Sequence, residues 1–249
     1  MTLQFTVSPD FGPDAISGWY LLNTWLQRAT ELPSHLELYH DFPAQHAAIE
    51  AGAVDLIYAN PYDAAMLIRD HGFTPLARPA NSADEAIIAV PAASPCDGVE
   101  ELPTGLRIAA TDHPDIRLIG MIMLEPADLD ATNTTTTEHG SYALVAKALL
   151  TDTADVGIFY VPAFEHLSAL VRRQLRPLVR SQISVIRHSF MASPTIAAHH
   201  DALAAALLAL PDDPKGGPIA RELGFTEMEP VDHDAVEFMI DLMDTLTPA

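Results

Sequence analysis

Two stretches of the chain, about 100 residues apart, are written on the same plan. One is Ile49-Glu50-Ala51-Gly52-Ala53-Val54-Asp55-Leu56-Ile57-Tyr58-Ala59-Asn60-Pro61; the other is Leu149-Leu150-Thr151-Asp152-Thr153-Ala154-Asp155-Val156-Gly157-Ile158-Phe159-Tyr160-Val161-Pro162. Each runs from a helix end through an acidic residue into an apolar strand with a Tyr near its end. A Pro then opens the next helix, where its missing N–H costs nothing. Any α/β protein yields units of this kind; taken as two copies, they describe two similar α/β lobes. Ligands of open α/β sheets bind outside the carboxyl ends of the strands, so two such lobes would present those ends to a cleft.

The rest of the pattern agrees with an α/β fold of mostly parallel sheets flanked by helices. Alternation predicts strands at Leu3–Val7, His35–Tyr39, Asp55–Ala59, Glu85–Val90, Leu106–Ala110, Asp155–Tyr160 and Leu178–Ile186. Helical spacing predicts helices over Gly12–Thr30, with Trp19, Leu22, Leu26 and Ala29 on one face, and over Pro43–Gly52 and Pro61–Asp70. Further helices are expected at Asp115–Met123, at Ser141–Leu150 with Leu144 and Ala148 inward, and at Pro162–Arg173. The last third is helical over Thr195–Leu210, Gly217–Leu223 and Asp234–Leu246. Thr132–Thr137 reads as a strand or as a solvated edge. Trp19 and Trp25 lie six apart on one helix, which suggests one core residue and one surface residue.

Charge narrows the partners. With 34 Asp+Glu against 13 Lys+Arg the formal net charge is −21, which excludes a basic nucleic-acid surface and attraction to an anionic membrane. Solubility alone accounts for such a balance, as does a salty habitat. Hydrophobic residues make up 49%, enough for a core. A single Cys, Cys96, excludes an internal disulfide and a Cys-based metal knuckle. No apolar run reaches the ~18 residues of a membrane span. The N-terminus lacks the layout of an export signal, so the chain reads as cytoplasmic as written and as periplasmic if a signal has been removed.

Strand ends supply the candidate ligand contacts. After the first three strands these are Ser8 and Asp10, then His40, Asp41 and Phe42, then Asn60 and Tyr62. In the second half they are Asp112 and His113, then Glu138, His139 and Ser141, then Tyr160; His188 and Ser189 follow the last predicted strand. Asn60 either offers its amide to a ligand or caps the helix that Pro61 opens. Tyr58, one position before its strand's end, is expected in the core. Of eleven His, four (His40, His113, His139 and His188) fall at these positions, and with nearby carboxylates they raise a metal site as an alternative. No spaced metal motif supports it, and no cofactor is expected. Nucleophile-elbow, P-loop and dinucleotide fingerprints are absent.

The ordered set of segments resembles the phosphate/phosphonate-binding proteins of ABC transporters, in the type II periplasmic-binding-protein superfamily. Asp41-Phe42-Pro43 with Ile49 to Pro61 is similar to the first-lobe signature, followed by Gly72-Phe73-Thr74-Pro75-Leu76-Ala77 and Glu85–Val90. His139-Gly140-Ser141-Tyr142-Ala143-Leu144 resembles the second-lobe turn before a helix. Asp155–Tyr160, Ile183–Met191 and the run from Asp213-Pro214 to Leu223-Gly224-Phe225 complete the order. The resemblance implies lobe I over residues 1–84, lobe II over 85–189, and a return to lobe I over 190–249, joined by two hinge strands. It also implies Phe42, Asn60, His139, Ser141, Tyr160 and His188 as ligand contacts. At Thr111-Asp112-His113-Pro114-Asp115-Ile116-Arg117 the chain departs from the hydroxyl-rich Ser-Thr-Ser-Gly turn of phosphonate binders. Two carboxylates there oppose an oxyanion by a few kcal/mol, roughly, at an effective dielectric near 20, unless Arg117 turns inward to offset them.

The function expected is that of a solute-binding protein trapping a small polar ligand, an oxyanion among the options, with an ABC permease or a signalling partner. A cytosolic enzyme on the same fold is the alternative, ahead of the effector part of a transcription regulator.

Overall fold

A computed structural model describes residues 2–80, 83–231 and 233–246. The last three residues of the expected C-terminal segment lie outside them. Spatial clustering divides the chain into two units, one of Met1–Ala83 with Arg187–Asp244 and one containing Asp84–Ile186. In chain order the first unit begins β1 (Leu3–Val7), α1 (Ile16–Thr30), β2 (Ser34–Glu37), α2 (Phe42–Glu50), β3 (Leu56–Ala59) and β4 (Thr74–Pro79). The second unit holds β5 (Ala86–Pro91), β6 (Arg107–Ala110), α3 (Pro114–Leu124), β7 (Thr135–Glu138), α4 (Tyr142–Leu150), β8 (Val156–Tyr160), α5 (Val161–His166), α6 (Ala169–Arg172) and β9 (Leu175–Arg180). The chain returns to the first unit through β10 (Ser189–Ala192), α7 (His200–Ala209), α8 (Gly216–Glu222), β11 (Met228–Pro230) and α9 (His233–Leu246).

Each unit is built on one mixed sheet. In the first the strand order is β11-β4-β10-β3-β1-β2, and in the second β7-β6-β8-β5-β9. The β-α-β connections place β1 parallel to β2 and β3, and β6 parallel to β7 and β8, with the Phe5↔Leu56 and Ile108↔Val156 registers. Strands that arrive by other routes run antiparallel: β10 beside β3, β5 beside β8. The expectation of mostly parallel sheets therefore holds only for the strands joined through helices.

Burial in the first unit centres on Phe5, Tyr58, Phe190 and Phe225 with Trp19 and Leu22 of α1. In the second it centres on Phe159, Val145, Leu149 and Phe164. Helix α3 comes so close to β8 that a Cβ on Gly120 would meet the Ile158 side chain. Both Trp are buried, against the expectation for one of them: Trp25 lies under α8 and its Nε1–H donates to Asp213 at 2.9 Å. Ala29 and Leu144 are exposed, because each sits at the margin of its helix's apolar stripe.

Several predicted elements differ in kind or limits. Pro61–Asp70 is a 3-10 turn (Pro61–Asp63) and a π turn (Met66–Asp70), not one α-helix. Pro162–Arg173 is broken at Leu167 into α5 and α6, with Ser168 capping the second piece. The predicted strand Leu178–Ile186 begins earlier, as β9, and ends at Arg180. Arg176 fixes that start, since its guanidinium binds Asp97 and the Ser94 and Cys96 carbonyls. β7 is exposed along its length, a strand that is also a solvated edge.

Candidate functional site

In the first unit the carboxyl ends of β1 and β3 carry one hydrogen-bonded network. Ser8 Oγ accepts from the Asn60 N–H at 2.8 Å, and the Ser8 N–H donates to Tyr58 O at 3.0 Å. Asn60 Oδ1 accepts from the Tyr62 N–H at 2.7 Å, capping the 3-10 turn, while Asn60 Nδ2 donates to Asp10 Oδ2. His188 Nε2 lies 3.0 Å from the same Asp10 oxygen. The His188 ring stacks on Tyr58 at 5.2 Å and 22°. Tyr58 itself is buried among Trp19, Phe190 and Phe225, as expected. Ser8 and Asn60 are fully buried. Both expected ligand contacts thus lie beneath the surface and shape the turn that presents Asp10, His188 and Tyr62.

Beside this network α2 begins at Phe42, with Asp41 as N-cap accepting from the Ala44 N–H at 2.8 Å. Asn60 and Asp41 cap by the same chemistry, a short side-chain oxygen facing the first free N–H groups. One turn on, His46 Nε2 lies 2.9 Å from Asp63 Oδ1, a carboxylate that is 3% exposed. That hydrogen bond holds the His46 pKa above its ordinary value, against the opposing effect of burial. His40 sits in the open and pairs with Asp41 at 3.0 Å.

In the second unit the equivalent strand ends gather aromatic rings. His113 Nδ1 is 2.8 Å from the Tyr142 hydroxyl, and its ring meets Tyr142 and Tyr160 edge-on at 5.4 and 6.5 Å. His113 is the N-cap of α3 and Tyr160 the N-cap of α5, so both sit where chain direction changes after a strand. Ser141 caps α4 by accepting from the Leu144 N–H at 3.4 Å. His139 is half-buried and its backbone N–H donates to Ala110 O. Arg117 does not turn inward: its side chain is half exposed and reaches Glu138 at 3.5 Å. Asp112 is exposed and Asp115 buried.

Tyr142 is the residue that strand-end reasoning missed, since it lies inside a helix. Its signal was present all the same, because it stands 100 positions after Phe42, each following an N-cap. Among the described residues no group of three or more His, Cys, Asp or Glu is placed to hold a metal ion. The four His of the metal alternative have different neighbours: His40 pairs with Asp41, His188 with Asp10, His113 with Tyr142, and His139 lies on the turn after β7.

Comparison with known proteins adds the family. The model described as "ABC transporter, phosphonate, periplasmic substrate-binding protein" matches residues 5–236. The fold is similar to XAC2383 of Xanthomonas citri solved with chloride ion, at TM-score 0.81 and 19% identity, covering 98% of this chain and 97% of that one. It is similar to PhnD1 of Prochlorococcus marinus in complex with methylphosphonate, at TM-score 0.82 and 12% identity over 98% of both chains. The aliphatic sulphonate binding protein SsuA of Escherichia coli follows at TM-score 0.66 and 16% identity, covering 98% of this chain and 86% of that one. No curated protein sequence matches the chain.

Proposed function

This chain belongs to the periplasmic substrate-binding proteins of phosphonate ABC transporters, and from that membership we propose that residues of both units hold one small polar ligand for delivery to a permease. It is a binder of small ligands on the two-lobed α/β fold of that superfamily. The observation that carries the site is a shared placement. Three positions past β1 stands Asp10 and three past β6 stands His113, and each is hydrogen-bonded to a residue from another strand end or helix start. The ligand contacts we propose are His188, Tyr62 and Phe42 from the first unit, with Asp10 orienting the His188 imidazole, and His113, Tyr142, Tyr160, His139 and Ser141 from the second. Ser8 and Asn60 position them from below.

The ligand class follows from two considerations. Proteins of this fold were solved with chloride and with methylphosphonate, which favours an anion. With Arg117 engaged by Glu138, an anion would be met by hydroxyl, imidazole and backbone N–H donors instead of a guanidinium. A singly charged or strongly hydrogen-bonding oxyanion suits such neutral donors better than a dianion. Among the described residues no helix is long and apolar enough to cross a membrane.

The test is calorimetric titration of the full chain with methylphosphonate, phosphate, sulfate and methanesulfonate. We expect one ligand per chain, no chemical change in the recovered ligand, and at least about tenfold weaker binding in His113→Ala and in Tyr142→Phe. Ligand turned over into product, or a panel that gives no binding at all, would overturn the reading.

A further inference from the structure

Away from the strand ends, the outer face of α1 and of the 3-10 turn that leads into it (Pro13–Ala15) carries a charge pattern that is complementary to itself. Asp14, Ser17, Leu21, Thr24 and Arg28 recur in steps of three and four, the spacing of a single helical stripe, and all five are exposed. Leu21 stands at the centre with 47% of its surface exposed, next to Tyr20 at 52%. Asp14 lies seven residues before it and Arg28 seven after. Helix α8 lies alongside in the opposite direction: Glu222 accepts from Ser17 Oγ at 2.7 Å, and Trp25 Nε1–H donates to Asp213 at 2.9 Å. Of its charges, Glu222 lies beside the Asp14 end and Lys215 beside the Arg28 end, with Arg221 next to Glu222.

Among the described residues seven of the eleven Arg hold a carboxylate in an ion pair, and Arg172, Arg173, Arg221 and Lys147 do not. Arg28 and Lys215 hold none among the described residues. Asp213, two residues before Lys215, already accepts from Trp25 Nε1–H and from the backbone N–H of Lys215 and Gly216. Glu31 lies beyond the helix in left-handed backbone and forms no ion pair with Arg28. The helix dipole favours an acid at the start of α1 and a base at its end, but it accounts neither for the exposed Leu21 between them nor for the groove beside it. That groove has a volume of about 400 Å³ and is walled by Leu21, Trp25, Arg28, Ala29, Lys215 and Ile219.

We propose that this face is the contact surface for a second copy of the chain, joined through an antiparallel α1–α1 pair about a two-fold axis at Leu21. A two-fold contact brings the same patch together from both sides, so residue i meets j and j meets i. Turning the stripe about Leu21 places Asp14 on Arg28 of the second copy, Ser17 on its Thr24, and Leu21 on its Leu21. The same rotation sets Lys215 opposite Glu222 of the second copy. Antiparallel helices also oppose their dipoles favourably. A contact of one helix and its neighbour falls at the small end of specific interfaces, so the pair is weak and reversible.

Sedimentation velocity on the full chain tests this. Wild-type protein should form a dimer in the range of about 10–500 μM, loosening as salt rises because the outer pairs are exposed. Leu21→Asp, Asp14→Arg and Arg28→Asp should each raise the dimer dissociation constant about tenfold or more. The double variant Asp14→Arg/Arg28→Asp exchanges the charges and should return it to within about threefold of wild type. An equimolar mixture of the two single variants should likewise recover the dimer, which separates lost pairing from damaged folding. A chain monomeric throughout that range, a dimer untouched by Leu21→Asp, or a charge exchange that fails to restore association overturns the proposal. None of these positions belongs to the proposed ligand site, so ligand titration and sedimentation stand or fall separately.

Discussion

The segments Asp41 to Pro61 and Ser141 to Pro162 share one backbone design and differ in what they set on it. In each, an N-cap oxygen opens a nine-residue helix, α2 or α4. Each helix ends through a left-handed residue, Gly52 at φ 66 and Asp152 at φ 56. A carboxylate then grips the neighbouring strand: Asp55 Oδ2 accepts from the Gln4 N–H, and Asp155 Oδ2 from the Arg107 N–H, both at 2.8 Å. The return bonds match too, with Asp55 N–H donating to Gln4 O and Asp155 N–H to Arg107 O, again at 2.8 Å. Past the strands the likeness stops. Position 60 is a buried Asn tied into an Asp–His network, and position 160 is a half-exposed Tyr beside a His–Tyr pair. A repeated frame fixes where side chains emerge, and leaves their chemistry free to specialise.

Removing the two clamps should show how differently the copies carry them. Asp55 is 8% exposed and its second oxygen accepts from Thr195 Oγ1 at 2.9 Å. Asp55→Ala leaves the Gln4 N–H without its acceptor and the Thr195 hydroxyl with Ser193 alone, and should cost about 2–3 kcal/mol in urea unfolding. Asp155 is bound instead by the exposed Arg107 side chain, through Nε at 3.0 Å and Nη2 at 2.7 Å. Water replaces much of that pairing, so Asp155→Ala should cost about 1 kcal/mol. Arg107 holds the Asp155 pKa below the usual carboxylate value. The folded pKa is depressed, so the stabilisation is complete above the unfolded value and fades as pH falls through the folded one. Equal losses for the two variants would remove the distinction.

This asymmetry also marks what could be read from the chain. The repeat, the Asp-led strands and the helix starts were legible because each is local: a cap or left-handed C-terminus is set by residues three or four apart. The family resemblance named the fold for the same reason, through ordered local segments. Long-range contacts were not legible. His188 meets Asp10 across 178 residues, and no spacing announces it. β10 was missed because Ser189–Ala192 is four residues long and becomes a strand only between β3 and β4. The stretch from Ser181 to Ile186, expected to continue a strand, includes Ser184 in left-handed backbone and an N–H donated to Glu85 at 2.8 Å. Strand-end position alone does not tell outward from inward, and the full burial of Ser8 could not be read from it.

The helix ends offer a finer contrast. Gly52 occupies left-handed backbone with open space around its Cα, so Gly52→Ala should cost about 1 kcal/mol through backbone strain alone. The reciprocal Asp152→Gly relieves the same strain but gives up the Arg107 contact to Asp152 Oδ1 at 3.0 Å. Its net effect in the same unfolding assay should stay within about 0.5 kcal/mol of zero. At the other ends, Asp41→Ala should cost about 1 kcal/mol and Ser141→Ala about half that, since the cap bonds measure 2.8 and 3.4 Å. A reversed order for the caps would mean that hydrogen-bond length does not rank them.

The smallest expected effect is one that a single copy can show. His46 on α2 pairs with the buried Asp63, whereas the positions 100 residues on are Ala146 and Ala163. Asp63 Oδ2 has no hydrogen-bond partner among the described residues, which leaves the imidazolium as the group compensating that carboxylate. Because the hydrogen bond to Asp63 raises the folded His46 pKa, the contribution is complete below the unfolded value and is lost as pH rises through the folded one. The stability difference between wild type and His46→Gln should therefore be larger near about pH 5.5 than near about pH 8, in urea unfolding followed at both. His46 is partly exposed, so solvent keeps the change small. A difference that grows towards alkaline pH would mean that the neutral imidazole is the favoured partner of Asp63.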